Sequence, residues 1–294
     1  MLPRGRPKLS ARNPDPTDMR TTPDNPAPGA APRDEAARPI GAATAWLFAF
    51  ACGALAANLY YAQPLVALIA DSMGLSASVE SSIFTAAQLG YALGLVLFVP
   101  LGDIVENRRL ILATMALNVV SLVGLALAPG LATLFAMMLV VGVTSTAAQM
   151  IVPLAASLAP AEERGAVVGN VMTGLLAGIM LARPVSSFLA DHLGWRGVFG
   201  ASAVLVAGLT VAALFLVPRR TPQGRHGYFQ LIGSLAVLQA REPVLRRRSI
   251  CHAAMFGVFS VFWTAAPILL LRQGYSPSAV ALFALAGVSG VLAA

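Results

Sequence analysis

Eight long apolar stretches, separated by short polar turns, fill this 294-residue chain from about Ala42 to its last residue. A helix needs roughly 20 mostly apolar residues to cross the hydrocarbon core of a bilayer, which is about 30 Å thick. Water-soluble domains do not repeat such a run eight times. The composition agrees, with 57% hydrophobic residues, 11% charged residues and a mean hydropathy of +0.74. The sequence therefore predicts an all-α membrane protein that crosses the bilayer several times.

The turns between these stretches set the limits of the spans. We place the spans at 42–69, 81–101, 110–128, 131–158, 165–190, 197–217, 249–271 and 279–294. Residues 1–40 contain nine prolines and almost no large apolar side chains. Such a segment buries too little surface to offset its ordering entropy, so we expect a disordered tail.

The arginines predict the orientation of the spans. If the tail lies on one side, the loops on that side hold ten arginines, at positions 108, 109, 164, 219, 220, 225, 241, 246, 247 and 248. The opposite loops hold only Arg196 and Arg272. Because cytoplasmic loops carry the excess of basic residues, the N-terminus is predicted to be cytoplasmic. The predicted location is the inner membrane of a bacterium.

The long connection at 218–248 divides the predicted spans into two sets. We interpret it as a basic cytoplasmic linker that sets topology and touches anionic lipid head groups, not nucleic acid. Before it stands a six-helix bundle at 41–217, and after it stand two helices at 249–294. This layout is typical of two six-helix halves. The last run has sixteen residues, about 24 Å of helix, so we expect a chain truncated by gene disruption or incomplete sequencing.

A polar turn follows the second span and reads Pro100-Leu-Gly-Asp-Ile-Val-Glu-Asn-Arg-Arg109. Gly102 is expected to permit close helix approach. The Asp103 carboxylate can accept hydrogen bonds from helix N-terminal amides or from an arginine. Arg108 and Arg109 would hold the turn at the cytoplasmic interface. A generic positive-inside loop is the alternative interpretation.

This turn resembles motif A of the major facilitator superfamily, usually written G-x-L-A-D-R-x-G-R-R, at Gly102, Asp103, Arg108 and Arg109. It departs from the motif at Ile104 and Glu106, and its arginines come one residue late. The string Asn58-Leu-Tyr-Tyr-Ala-Gln-Pro-Leu65 resembles bacterial facilitators of the arabinose-efflux-permease-like and drug-efflux-like group. Gly194-Trp195-Arg196 also fits that group.

The resemblance covers residues 41–294 and implies a major-facilitator-type helical bundle. It implies secondary active transport by alternating access, with efflux of a sugar or a drug-like compound. The motif A-like turn would then be the cytoplasmic gate. The fifth span departs from the Gly-Pro signature of the superfamily's antiporters, with Arg183-Pro184 after Gly165, Gly169, Gly174 and Gly178. Glycines at this spacing predict close helix packing.

Polar side chains inside a span are costly unless they face protein or water, so each is a candidate for the transport path. The candidates are Asn58, Tyr61, Gln88, Gln149, Arg183 and Trp263. For the amides and hydroxyls, the alternative is hydrogen bonding between helices. Arg183 binds an anionic group or a carboxylate partner, or else it snorkels toward the outer interface. Trp263 belongs to an aromatic stripe that lines a cavity or packs against another helix.

The acidic residues all fall at predicted helix ends or loops, so proton coupling has no evident mid-membrane carboxylate. Either the missing helices supply one, or Arg183 takes part indirectly, or transport is not coupled to protons. We expect no cofactor, no metal and no enzymatic activity, since nucleotide-binding and nucleophile–base patterns are not found. We expect a monomer that handles a small solute. The alternative function is a non-transporting remnant or a membrane-embedded interaction subunit.

Reporter fusions test this topology. A reporter that is active only outside the cytoplasm should be active when fused at Gly194 and inactive when fused anywhere in 218–248, because the basic loops stay inside. Activity in the 218–248 segment would contradict the predicted orientation.

Overall fold

The computed structural model describes residues 41–222 and 227–275, and all regular elements in these two ranges are helical. The predicted tail at 1–40 and the predicted eighth span at 279–294 lie outside them. The α-helices are α1 (Ala42–Tyr60), α2 (Ala62–Met73), α3 (Ala77–Leu97), α4 (Asn107–Ala126), α5 (Leu131–Ser145), α6 (Ala147–Leu158), α7 (Arg164–Leu216), α8 (Tyr228–Arg241) and α9 (Pro243–Arg272). A 3₁₀-helix at Val99–Asp103 joins α3 to the turn before α4.

Five helical segments in the described residues are long and apolar enough to cross a membrane: Ala42–Tyr60, Ser82–Asp103, Asn107–Ala126, Leu131–Leu158 and Arg164–Leu216. The last segment contains two predicted spans, because Gly194 interrupts α7 with φ 67° and ψ 171°. Only glycine adopts such a positive φ without strain, so the chain reverses there. The six predicted spans of the first half are therefore all present as helix.

Two of the predicted spans are each built from two consecutive helices. α1 and α2 meet at Tyr61, and α5 and α6 meet at Thr146. Both junction residues keep right-handed helical angles, so each pair continues through one span. At the first junction Pro64 has no N–H for the carbonyl of Tyr60, four residues earlier. This missing hydrogen bond explains why the helix is interrupted at Tyr61.

The predicted start of the seventh span at residue 249 needs correction. α9 begins at Pro243, six residues earlier, and α8 occupies Tyr228–Arg241 within the predicted linker. The linker is therefore largely helical. Arg246, Arg247 and Arg248 are good helix formers, although their charge removes them from a hydropathy-based span. Proline is also favoured in the first turn of a helix, where Pro243 stands.

Glycines allow two pairs of helices to pack with their backbones in contact. α1 packs most extensively against α7, where a Cβ at Gly178 would collide with the carbonyl of Gly53. α3 packs against α5 in the same way, since a Cβ at Gly142 would collide with the carbonyl of Ala87. Small residues at such interfaces replace the hydrophobic driving force that is missing between helices in lipid.

The prediction that the glycines of the fifth span serve helix packing is confirmed for two of the four. A Cβ at Gly174 would collide with the backbone of Ala49, much as a Cβ at Gly178 would collide with Gly53. A Cβ at Gly165 or Gly169 would meet no atom within 4 Å. The close contact is therefore confined to the later part of this span, which is the part that leads to Arg183.

Two alanine substitutions in one helix test this packing. Gly178→Ala should lower the free energy of unfolding by about 1–3 kcal/mol, because the added methyl forces α1 and α7 apart. Gly169→Ala is the matched control and should be neutral or slightly stabilising, since alanine favours helix. Thermal unfolding in detergent measures both. Equal unfolding temperatures for the two variants would contradict the close contact.

Candidate substrate site

Arg183 lies inside the protein, between helices of the first bundle and the first helix after the linker. Its side chain is 8% exposed. It precedes residue 190, the end of the predicted fifth span, by seven residues, which is about 10 Å of helix, so it lies within that span and nearer its predicted outer end. Because the side chain is enclosed by α1, α2 and α9, the geometry departs from the snorkelling alternative.

Three side chains hold the Arg183 guanidinium. Its Nε donates a hydrogen bond to Gln63 Oε1 at 2.9 Å. Its central carbon lies 5.3 Å from the ring centroid of Tyr60 and 4.7 Å from that of Trp263. Both rings attract the cation through their negative faces. Tyr60 comes from α1, Gln63 from α2 and Trp263 from α9, so residues from both sides of the linker meet at one cation.

The outer nitrogens of Arg183 are the unsatisfied part of this site. Nη1 and Nη2 are buried and have no hydrogen-bond partner among the described residues. A buried cationic donor without an acceptor is costly, since its hydration is lost and nothing replaces it. The site can therefore accept an anionic or strongly hydrogen-bond-accepting group at these two nitrogens.

The candidate Trp263 belongs to a small apolar cluster beside Arg183. It is 9% exposed and packs with Met180 and Phe259. The ring centroids of Phe259 and Trp263 are 6.2 Å apart. The predicted aromatic stripe consists of His252, Phe256, Phe259 and Trp263. Trp263 contacts Met180 of α7, and its ring lies over the Arg183 guanidinium. His252, at the other end of the stripe, is exposed, with Nδ1 3.2 Å from the carbonyl oxygen of Arg248.

The candidates Gln149 and Gln88 lie on neighbouring helices. Gln149 Nε2 donates to the hydroxyl of Tyr91 at 3.0 Å, which links α6 to α3. Tyr91 is in turn an electrostatic neighbour of Tyr60. Gln88 is half-buried, and its Oε1 is buried without a hydrogen-bond partner in the described residues. These groups place a second set of polar atoms on α3 and α6.

Asn58 belongs to a different part of the molecule. It is fully buried, and its Nδ2 donates to Asn118 Oδ1 at 3.0 Å. Ser202 Oγ donates to Asn58 Oδ1 at 2.5 Å, and Asn118 Nδ2 donates to Thr144 Oγ1 at 2.8 Å. This polar network ties α1, α4, α5 and the later part of α7 together. The amide of Asn58 is therefore used between helices, as the alternative interpretation of the polar candidates expects.

Tyr61 lies on another face of α1 from its neighbour Tyr60. It lines a cavity of about 730 Å³ between α1 and α7. The other lining residues are mostly apolar, and Trp46 and Phe50 in this lining are largely exposed. Arg183, Gln88 and Gln149 do not line this cavity. The six candidates are thus divided among four places: the arginine site, the polar atoms on α3 and α6, the polar network and an apolar groove.

At the motif A-like turn, the arginines bind partners other than Asp103. Arg109 Nε forms an ion pair with Glu106 Oε2 at 2.9 Å. Arg108 Nη2 donates to the carbonyl oxygen of Leu214 at the end of α7. Glu106 thus has a function at the position where motif A has glycine. Asp103 is exposed, and among the described residues we find no ion pair or hydrogen bond that occupies its carboxylate.

The expectation that Gly102 permits close helix approach is wrong. A Cβ at this position would meet no atom within 4 Å. Gly102 lies in the 3₁₀-helix Val99–Asp103, which forms the turn. The tight contacts occur instead at the glycines within the spans.

The string Gly194-Trp195-Arg196 forms the corner on the opposite side from this turn. Trp195 Nε1 donates to Ser72 Oγ at 2.7 Å, and Arg196 Nη2 donates to the carbonyl oxygen of Ala128 at 3.0 Å. The Arg196 guanidinium lies 4.2 Å from the Trp195 ring centroid. The corner therefore joins α7 to the ends of α2 and α4.

The sequence analysis did not identify several residues that the structure brings together. Tyr60 and Gln63 at the arginine, and Asn118, Thr144 and Ser202 in the polar network, come from separate helices. Asn118 carried a usable signal, because it is an amide in the middle of a predicted span. For the others, only the packing of helices reveals the partner.

Comparisons with known proteins agree with this architecture. Residues 45–294 match the family model described as Major Facilitator Superfamily. The uncharacterized transporter YgaY of Escherichia coli O157:H7 is 42% identical over 232 residues, which are 79% of this chain and 59% of that protein. A Streptomyces coelicolor protein named "Probable transporter SCO4007" is 36% identical over 281 residues, 93% of this chain and 65% of that protein.

A crystal structure of the peptide transporter POT in complex with alafosfalin has a similar fold. It aligns with 78% of this chain and 51% of that chain, with a TM-score of 0.53 and 18% sequence identity. At this identity the likeness concerns the fold alone. The chain spans 59% and 65% of the length of the two relatives named above.

Removing the central amide tests the polar network. Asn118→Leu leaves Asn58 Nδ2 without its acceptor and removes the bond from Asn118 to Thr144 Oγ1, so it should lower the free energy of unfolding by about 1–3 kcal/mol. The control is Thr210→Val, because the Thr210 hydroxyl donates only to Val206 O within its own helix. Thermal unfolding compares the two. A loss no larger for Asn118→Leu than for Thr210→Val would contradict the network's role.

Proposed function

Because the chain belongs to the major facilitator superfamily, we propose that it works as a secondary transporter that moves a small solute by alternating access. Superfamily members of this type rock two helical halves about a central site. The observation that carries the proposal is the position of Arg183. It is buried within the span and is held by residues from the first bundle and from α9.

A site between the first bundle and the helix that follows the linker suits alternating access. Tyr60 and Gln63 belong to the first bundle, whereas Trp263 follows the linker. If α9 rocks relative to the first bundle, the ring of Trp263 moves away from the Arg183 guanidinium and the site opens. The glycine contacts between α1 and α7 keep Arg183 in place during this motion, since they bind two helices of the same half.

The direction of transport and the solute are also part of the proposal. The arabinose-efflux-permease-like string at Asn58–Leu65 favours export from the cytoplasm of a bacterium, by a monomer in the inner membrane. The proposed solute is a sugar or a drug-like compound, and the aromatic rings around the site offer apolar contact to either. A proton remains a candidate for the coupling ion.

The cytoplasmic turn would act as the gate. Asp103 is exposed, so its carboxylate is available to accept hydrogen bonds when the cytoplasmic face closes. Arg108 and Arg109 are engaged with Leu214 and Glu106 and would fix the turn to the ends of α4 and α7. Gly102 contributes to the 3₁₀-turn that places Asp103 at the surface.

Flux through proteoliposomes tests the proposed function. Vesicles that contain the purified chain should release labelled solutes from a panel of sugars, dyes and small acids faster than empty vesicles do. The release is measured with and without a proton gradient.

Asp103→Asn should slow the flux several-fold without unfolding the protein, since it weakens the gate and leaves the arginine site intact.

The controls separate the two candidate functions. Arg241→Gln, on the exposed surface of α8, removes one positive charge far from the gate and should leave the flux unchanged. Flux equal to that of empty vesicles for every solute would overturn transport. It would favour the alternative, a membrane-embedded subunit without transport activity of its own.

A further inference from the structure

We infer that the solute is an organic anion and that Arg183 binds its carboxylate through Nη1 and Nη2. That this anion is transported rests on the proposed function. That it binds at Arg183 rests on the geometry of the site alone. It goes beyond the sequence interpretation of Arg183, which named an anionic group or a carboxylate partner, by specifying the solute's carboxylate and the two nitrogens that bind it.

The Arg183 guanidinium has two N–H donor nitrogens, Nη1 and Nη2, that can bind a ligand. Arginine presents its N–H groups in a planar fork that matches the two oxygens of a carboxylate. In Arg183 the Nε end of the fork is used by Gln63, whereas Nη1 and Nη2 are buried and find no acceptor among the described side chains. With a side chain only 8% exposed, these donors are not satisfied by bulk water.

Arg183 has no carboxylate counter-ion among the described residues. The structure records one ion pair in the described residues, between Arg109 and Glu106 at the motif A-like turn. The acidic residues of the described spans lie at helix ends and loops, and residues 276–294 contain neither Asp nor Glu in their sequence. Within the part of the chain that the structure describes, the positive charge of Arg183 is therefore left for a group that comes from elsewhere.

Aromatic and apolar side chains form the walls of the site. Tyr60 and Trp263 face the guanidinium and partly compensate its charge, but a ring face supplies no acceptor for Nη1 and Nη2 in the plane of the fork. Met180 and Phe259 add apolar surface beside Trp263. A ligand with a compact acidic head and an apolar or aromatic body matches this combination of a cation and an apolar surface.

A carboxylate from a further part of a longer protein is the competing source of the acceptor, and it predicts a different behaviour. A carboxylate supplied by the protein would occupy Nη1 and Nη2, so external acids would bind no more tightly than their neutral analogues. A carboxylate supplied by the solute would make binding selective for acids. The selectivity between an acid and its amide therefore distinguishes the two sources.

The experiment measures equilibrium binding to the purified chain in nanodiscs. The probes are benzoate with benzamide and hexanoate with hexanamide, which differ in charge and hardly in shape. In the wild-type protein at least one carboxylate should bind about tenfold more tightly than its amide, because a charge-assisted bidentate pair is formed. The intrinsic fluorescence should change on binding, since Trp263 lies over the cation.

Variants at one position assign the selectivity. Arg183→Gln should bind the acid and the amide equally, and Arg183→Lys should retain part of the preference, because it keeps the charge and loses the fork. Arg241→Gln is the matched control for loss of one charge and should behave as wild type. Size-exclusion profiles check that the variants are folded, and the wild-type comparison of acid with amide stands even if Arg183→Gln fails this check.

Two results would overturn the inference. One is equal binding, or no binding, of both acid–amide pairs by the wild-type chain. The other is a preference for acids that persists in folded Arg183→Gln. Acid-selective binding without flux would overturn the proposed transport and leave the anion site, whereas flux of neutral solutes without acid-selective binding would do the reverse.

Discussion

The burial of the Arg183 guanidinium, which has no carboxylate partner among the described residues, is the constraint on which the rest of this structure depends. A charged group in the hydrocarbon layer is costly, and arginine keeps its charge in proteins. The protein reduces the cost with one amide and two aromatic rings, but it leaves two nitrogens without acceptors. Such an arrangement persists only if the surrounding helices hold it firmly or if a ligand completes it.

The surrounding helices do hold it firmly. Backbone contact at Gly53, Gly174 and Gly178 fixes α7 against α1, just before Arg183 along the chain. The network of Asn58, Asn118, Thr144 and Ser202 fixes α1 against three further helical segments. The Trp195 corner fixes the end of the same span. The first bundle thus holds Arg183 against Trp263 of α9.

The sequence predicted the parts of this arrangement that depend on one helix at a time. Hydropathy located the six spans of the first half, and the glycine spacing located the contact at Gly174 and Gly178. Arg183 was identified as costly because a charge within an apolar run is visible without a structure. The helices of the linker were missed, because arginine-rich segments can be helical without being apolar.

What the sequence could not supply is the pairing of residues across helices. Asn58 was a candidate for the transport path, but its amide is used by Asn118 and Ser202, which lie 60 and 144 residues away. Gln63 pairs with Arg183 across 120 residues. Gly102 was misjudged because a glycine in a turn and a glycine in a helix contact look alike in sequence. In each case the deciding factor is the packing of helices and not the local pattern.

The most direct test of the account is to locate a bound acid at atomic resolution. A crystal of the chain soaked with 4-bromobenzoate gives an anomalous signal from the bromine, which marks the ligand independently of the protein density. The account predicts a bromine peak beside Trp263, with the carboxylate on Nη1 and Nη2 of Arg183. A bromine peak only at another site, or a protein carboxylate on those two nitrogens, would contradict it.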